Sequence, residues 1–323
     1  MKVIWHWPGL TGLDDIRRAC PDVDFLPVET AEELQKVLGE PEITVCGQGA
    51  YRDDAAEIYK RSPGKLRWIQ FRAAGVDTAV PFGFPKDVIV TNAPGMSSPT
   101  ISSHALAMLL HLWRRLNEWT ALQPMGWDRD SGVVGRMVCL DNKVMVVIGY
   151  GSIAQALCQR AKAFGMKVIV VSRAAEKGPY VDDVKRRDKL HEALAEADAV
   201  AMCTALAADN RHMLGRAELA RMKKSAILLN ISRGELIDEA ALVEALRNGQ
   251  IAGAGLDVYE QEPCPADNPL WRLPNVVCTP HVAARGGSDV ENFTRFMADQ
   301  LRRWRAGEKP LHILGPDRLT PTS

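Results

Sequence analysis

With 323 residues the chain is too long for one small core and long enough for two domains. Forty Lys and Arg balance forty Asp and Glu, so no net charge draws it to nucleic acid or to an anionic membrane, and a small ligand fits better. No stretch reaches the roughly 18 uncharged apolar residues of a membrane helix, and residues 1–10 lack the apolar run of a signal peptide. The seven cysteines are scattered and never spaced C-x-x-C, so they read as buried free thiols in a reducing cytoplasm, with no disulfide framework and no zinc site.

In chain order, the first series of candidate strands covers residues 3–7, 24–28, 43–47, 66–70 and 88–92, each a short apolar run bounded by proline, glycine or charge. Helical patterns lie between them, as at 31–38 and 53–61. Strand and helix in alternation indicate a parallel sheet covered on both faces. Residues 99–119 read as one long helix, whose apolar positions from Ile101 to Leu116 nearly surround it. Such a helix is either buried between domains or packed on a partner subunit. A second, more regular series of six strands follows at 144–149, 167–172, 199–203, 226–231, 255–258 and 276–278. Helical stretches at 153–164, 190–195 and 239–247 separate them. Continuous apolar runs such as VMVVIG and AILLNI suit central parallel strands. The amphipathic segment 289–306 must return to the first domain or cap the second.

Gly149-Tyr150-Gly151-Ser152-Ile153-Ala154 follows an apolar strand and opens a helix, the context that gives a G-x-G-x-x-G/A spacing its meaning. Gly149 makes the tight turn, Gly151 lets backbone approach a pyrophosphate, and Ala154 permits close helix–strand packing. The N–H groups at the helix start, from Ser152 and Ile153 onward, then face the phosphates. At the end of the next strand an NAD-selective site carries Asp or Glu for the ribose 2′-hydroxyl; this chain has Ser172 followed by Arg173. A carboxylate repels a 2′-phosphate, whereas a hydroxyl and a guanidinium bind it. NADP(H) is therefore the expected preference, with NAD(H) possible if Arg173 only stacks on adenine. Lys177 and the run Lys185-Arg186-Arg187 can add positive charge nearby, with a solvated helix face the preferred reading for the run.

Three further segments end predicted strands in the last third: Asn230-Ile231-Ser232-Arg233-Gly234, then Leu256-Asp257-Val258-Tyr259-Glu260-Gln261-Glu262-Pro263, then Thr279-Pro280-His281. In an open parallel sheet the ligand crevice lies beyond the carboxyl ends of the strands, so all three face the crevice of the glycine loop. With these residues in this order the chain closely resembles the D-isomer-specific 2-hydroxyacid dehydrogenases, most of all the glyoxylate/hydroxypyruvate reductases among them. The resemblance covers nearly the whole chain and is strongest over 144–284. It implies an α/β fold of two Rossmann-like doubly wound domains. A dinucleotide-binding domain, 99–285, is inserted into a discontinuous flavodoxin-like substrate domain, 1–98 plus 286–323.

The chemistry of that family asks for such residues. Hydride delivery to a keto carbon leaves an alkoxide that needs a proton, and His281 can supply it as general acid or take it back in oxidation. Glu262 is the carboxylate that favours the imidazolium, and Arg233 holds the substrate carboxylate or polarises the keto oxygen. Asp257 resembles a position that contacts the nicotinamide carboxamide; its plainer role is a turn cap. Ala74, Gly75 and Val76 match a loop whose backbone N–H groups bind the substrate carboxylate, Tyr51 a position that meets the substrate's side chain, and Trp127 a pocket residue, of this subunit or a partner. Ser103, Asn142 and Ala205 depart from the family pattern at places away from the catalytic trio.

The leading expectation is an NADP(H)-preferring reductase of a small-molecule 2-keto acid, glyoxylate or hydroxypyruvate, acting as a cytoplasmic homodimer. Two alternatives stay open: a reductase of a larger aromatic or branched 2-keto acid, and a dinucleotide-sensing binding protein without turnover.

Overall fold

Short apolar runs become parallel strands because a strand buried on both faces has no polar side to present. The computed structural model describes every residue except 48, 62, 129, 131, 174–176, 208, 287 and 320–323. The chain divides into two units, Met1–Ser97 with Gly286–Ser323, and Ser98–Arg285.

The first unit begins β1 (Lys2–His6), α1 (Leu13–Ala19), β2 (Asp24–Val28), α2 (Ala31–Val37), β3 (Ile43–Cys46), α3 (Asp53–Arg61), β4 (Trp68–Phe71) and β5 (Ile89–Thr91). Its five strands form a parallel sheet in the order β2-β1-β3-β4-β5. Period two along β1 sends Val3 and Trp5 into one core cluster and Ile4 into the other, one on each face of the sheet. A capping box starts α2: the Thr30 hydroxyl accepts from the Glu33 N–H at 3.2 Å, and the Glu33 carboxylate accepts from the Thr30 N–H.

The second unit holds α4 (Ser98–Trp113), α5 (Leu116–Leu122), β6 (Val144–Ile148), α6 (Ser152–Ala163), β7 (Lys167–Val171), β8 (Asp183–Lys185), α7 (Leu190–Glu196), β9 (Ala199–Met202), α8 (Arg216–Leu219), β10 (Ile227–Asn230), α9 (Glu239–Arg247), β11 (Gly253–Leu256) and β12 (Val276–Cys278). Its seven-stranded parallel sheet runs β12-β11-β10-β9-β6-β7-β8. The chain leaves β6 in one direction through β7 and β8, then returns to the other side at β9. The β6/β9 boundary is thus the topological switch point, where such sheets place their ligand crevice. α4 packs against α6 and the β10–β12 side of this sheet; a side chain at Gly255 would come within 2.9 Å of the Met108 Cβ. The chain then returns to the first unit as α10 (Ser288–Arg305) and α11 (Pro316–Leu319). Phe293, Met297 and Leu301 of α10 pack with Leu13 and Ile16 of α1. The buried Gln300 amide binds the Leu311 backbone in both directions, and Leu314 N–H then donates to Val90. The tail therefore rejoins the first sheet.

Four sequence expectations change. The helix expected at 99–119 is two helices, because Arg115 adopts the left-handed region (φ 55°) and breaks the run after Trp113; apolar spacing carries no signal for that break. A seventh strand, β8, goes unforeseen, since three residues with charge at both ends present no apolar run. That strand takes Lys185 out of the solvated helix face expected for the basic run. The cysteines are free but not uniformly buried: Cys139 is exposed, and Cys203, Cys264 and Cys278 are half-buried. Among the described residues, no helix is long and apolar enough to cross a membrane.

Candidate active site

The glycine loop sits at the switch point. Gly149 has φ 99°, and a Cβ there would lie 2.6 Å from the Cys203 carbonyl oxygen, so only glycine lets the end of β6 pass that of β9. At Gly151 the opposite holds: a Cβ would meet nothing within 4 Å, which leaves the backbone open to an approaching group. Gly151 is the N-cap of α6 and offers no side-chain cap to its first N–H groups, those of Ser152 and Ile153, and no acidic side chain lies in the first turn. Uncapped amides without a competing carboxylate suit a pyrophosphate. The Tyr150 hydroxyl donates to Pro179 at 3.0 Å and closes the loop over Gly178.

A cavity of about 270 Å³ continues from this loop along Val171, Ser172 and Arg173 to Thr204 and Asn210. Half-buried Ser172 and exposed Arg173 follow directly on β7, and the Ser172 N–H donates to Lys185 of β8 at 3.1 Å. Buried Asn210 braces the loop after β9, accepting from Ala207 N–H at 2.7 Å and donating to Ala205 at 2.8 Å. The residues present therefore fit an adenine dinucleotide, and the described residues that follow β7 directly, Ser172 and Arg173, carry no carboxylate.

Arg233, Glu262 and His281 follow β10, β11 and β12, three adjacent strands whose last residues, Asn230, Leu256 and Cys278, lie in one row. Each segment is pinned. The Asn230 side chain accepts from the Ser232 N–H and donates to the Arg233 carbonyl, and the Ser232 hydroxyl donates to Met202. One arm of the Arg233 guanidinium donates to the Ser232 carbonyl at 2.7 Å. A Cβ on Gly234 would fall 1.9 Å from the Tyr259 carbonyl carbon, so the Arg233 loop lies directly against the loop that carries Glu262. Glu262 accepts the Tyr259 N–H through one oxygen at 3.1 Å and meets His281 Nδ1 through the other at 2.7 Å.

His281 itself is left-handed (φ 54°), a conformation that a non-glycine residue holds only where its surroundings fix it. Asp257 provides much of that fixing. It is 1 % exposed, and its carboxylate accepts the Thr279 hydroxyl at 2.5 Å and the N–H groups of Val282 and Ala283 at 2.9 and 2.8 Å, while its carbonyl accepts the His281 N–H. Because the Thr279 hydroxyl donates to Asp257, it accepts from His104 Nε2 at 3.0 Å, which carries the network into α4. For Asp257 the bonds present are those of a turn cap.

The family model for the D-isomer specific 2-hydroxyacid dehydrogenase, NAD binding domain, matches residues 106–283. The chain belongs to this family of dehydrogenases. Its members are NAD(P)-dependent oxidoreductases of the CH–OH group of 2-hydroxy acids, and so is this enzyme. It is 34% identical over 286 residues to a glyoxylate reductase of Korarchaeum cryptofilum, covering 81% of this chain and 80% of the relative. To a glyoxylate/hydroxypyruvate reductase B of Serratia proteamaculans it is 35% identical over 264 residues, 81% and 80% of the two chains. A crystal structure of a D-isomer specific 2-hydroxyacid dehydrogenase family protein from Aeromonas salmonicida is similar with a TM-score of 0.86 at 27% identity, covering 97% of this chain and 98% of that one.

In the dehydrogenase's first unit, the segment after β4 is tied down by the Asn92 amide, which donates to the Ala74 carbonyl, and by Ala93 N–H on Ala73. Ala74 is exposed, Gly75 half-buried, and the Val76 side chain lies in the core. Tyr51 is a correction. Expected at the substrate's side chain, it is fully buried, its hydroxyl donating to Gly83 at 2.8 Å and its ring stacked on Tyr59 and tilted against Phe84. An aromatic so enclosed presents no surface to a ligand. Trp127 is 91% exposed and edges a larger apolar cavity of about 660 Å³ with Trp119, Val134 and Met137. One contributor escapes the sequence reading: His104 sits inside an apolar helix with only its neighbour Ser103 singled out. Arg187, whose run had the solvated helix face as its preferred reading, lines the cofactor cavity instead.

Proposed function

We propose that this dehydrogenase reduces a small 2-keto acid, glyoxylate or hydroxypyruvate, with NADP(H) preferred over NAD(H), and that Arg233, Glu262 and His281 carry the reaction. The observation that carries this reading is the 2.7 Å contact between His281 Nδ1 and Glu262, beside a glycine-anchored Arg233 loop. When bound, the reduced nicotinamide supplies the hydride. With Nδ1 committed to Glu262, Nε2 is the nitrogen left to meet the substrate oxygen. Its proton goes to the oxygen of the reduced carbon, giving the hydroxyl, and the imidazole left behind is neutral with its remaining proton on Nδ1 toward Glu262. The Glu262 carboxylate thus fixes the ring with Nε2 turned away from it. The planar Arg233 guanidinium suits a substrate carboxylate. In the first unit, the backbone at Ala74 and Gly75 is proposed to bind substrate as well.

The Ser172-Arg173 pair, with a guanidinium where a carboxylate would repel phosphate, supports NADP(H). The two units take the roles of substrate domain and dinucleotide domain. Exposed Leu116, Met125, Trp127 and Val134 support a homodimer formed through this apolar region, and free cysteines support a reducing cytoplasm. The test is loss of reduced-nicotinamide absorbance with glyoxylate, hydroxypyruvate, phenylpyruvate and a branched 2-keto acid, each with NADPH and NADH. The highest kcat/KM is expected for glyoxylate or hydroxypyruvate with NADPH. Preference for phenylpyruvate or the branched acid would replace the substrate assignment, and tight NADPH binding without turnover on any acid would make the protein a dinucleotide sensor.

A further inference from the structure

The basic run Lys185-Arg186-Arg187 divides three ways in the fold. Lys185, the last residue of β8, turns to Asp183 and Glu196 at 3.4 and 3.2 Å. Exposed Arg186 lies 3.9 Å from Asp188. Arg187 lines the cofactor cavity with Ser172 and Arg173. Sheet register explains why: β7 and β8 are parallel neighbours with Val171 opposite Lys185, and the Ser172 N–H donates to the Lys185 carbonyl. Residues just beyond the two strand ends therefore stand side by side. Asp209 from the loop after β9 orients the Arg187 guanidinium: Arg187 meets its carboxylate at 2.6 Å with one nitrogen and donates to its carbonyl with another. Asp209 lines the same cavity.

We infer that the Arg187–Asp209 pair is a selectivity element of the cofactor site, setting how strongly it distinguishes a ribose 2′-phosphate from a 2′-hydroxyl. The inference rests on the adenosine end of the cofactor lying in this cavity, as in the proposed function. A 2′-phosphate beside Ser172 meets two guanidiniums, from Arg173 and Arg187, and one carboxylate. Asp209 acts on it twice, as a like charge and as the competitor for Arg187. The side chains of Arg187 and Asp209 are 36% and 61% exposed, and an ion pair so open to water contributes little. Arg187 therefore exchanges Asp209 for a dianion readily, since charge-assisted bidentate contacts to phosphate are stronger than contacts to a solvated carboxylate. A 2′-hydroxyl gives no such exchange, and Asp209 keeps its partner. Asp209 moderates the preference that Arg173 and Arg187 create.

The experiment is calorimetric titration of the protein with 2′,5′-ADP and with 5′-AMP, which differ only in the 2′-phosphate. Arg187→Gln is expected to weaken 2′,5′-ADP about tenfold and to leave 5′-AMP unchanged, with Arg187→Lys recovering part of the loss. Asp209→Asn is expected to tighten 2′,5′-ADP several-fold, again without moving 5′-AMP. If both probes shift together the pair only props the loop, and if neither probe shifts it takes no part in selectivity; either result overturns the inference. The wild-type ratio tests the NADP(H) reading separately. Equal affinity for the two probes sinks that reading, while a rise of the ratio in Asp209→Asn still upholds the selectivity role, and an unchanged ratio overturns it.

Discussion

The carboxyl edge of the seven-stranded sheet is built in two manners. Beyond β10, β11 and β12 every polar group of the proposed catalytic set has a second partner: Glu262 is held by the Tyr259 N–H, and His281 by Glu262 and the Asp257-centred loop. Arg233 is held by the Asn230 brace and by the glycine that lets its loop touch Tyr259. Beyond β7 and β8 the groups are long side chains, Arg173 exposed and Arg187 half-buried and paired with Asp209. The difference teaches that proton transfer needs atoms fixed to a fraction of an ångström, whereas charge selection works through groups that can move to meet a phosphate.

Three changes break or sharpen this comparison. The largest effect is expected from His281→Ala on the fixed side: kcat should fall by about 10² to 10⁴, the span of a lost general acid, while the Kd for NADPH measured by fluorescence stays unchanged. Near-normal turnover across pH would remove His281 from the chemistry. Next comes Asp257→Asn, which puts an amide where a buried carboxylate accepts three donors, so that an N–H group must face another N–H group or leave a donor bare. A stability loss of roughly 1–3 kcal/mol is expected in urea denaturation, with kcat lowered roughly 10- to 100-fold as the left-handed His281 relaxes. An unchanged kcat with lowered stability would show that the loop need not be fixed for turnover. The smallest effect is expected from Arg173→Ala on the adaptable side. There KM for NADPH should rise roughly tenfold, with kcat and the NADH parameters little altered. If Arg173→Ala lowers kcat as deeply as His281→Ala, the separation of the two sides fails.

Much of this was legible in advance where the physics is local. The glycine loop is readable because a strand, a turn needing positive φ and an uncapped helix start leave a spacing in the sequence, and the strands are readable because double burial demands unbroken apolar runs. The run with Arg187 was legible only as two alternatives, because a basic run looks alike whether it coats a helix or ends an edge strand; pairing of β8 with β7 turns one of its three charges into the cavity. Tyr51 misled in the other direction. Its match to a family position implied a ligand contact, but the rings of Tyr59 and Phe84, brought in from α3 and the segment before β5, enclose it.

By itself the sequence determined the parallel α/β class, the order of motifs and the residue types of the proposed chemistry, since these follow from periodicity and from single segments. The tertiary structure alone decided which groups meet: Glu262 with His281, Asp257 with the loop that carries His281, His104 with Thr279 and Arg187 with Asp209. The reason is that these contacts join separate strand ends, or for His104 a helix to a strand end, and strand order, register and packing, not sequence spacing, set the distance between them.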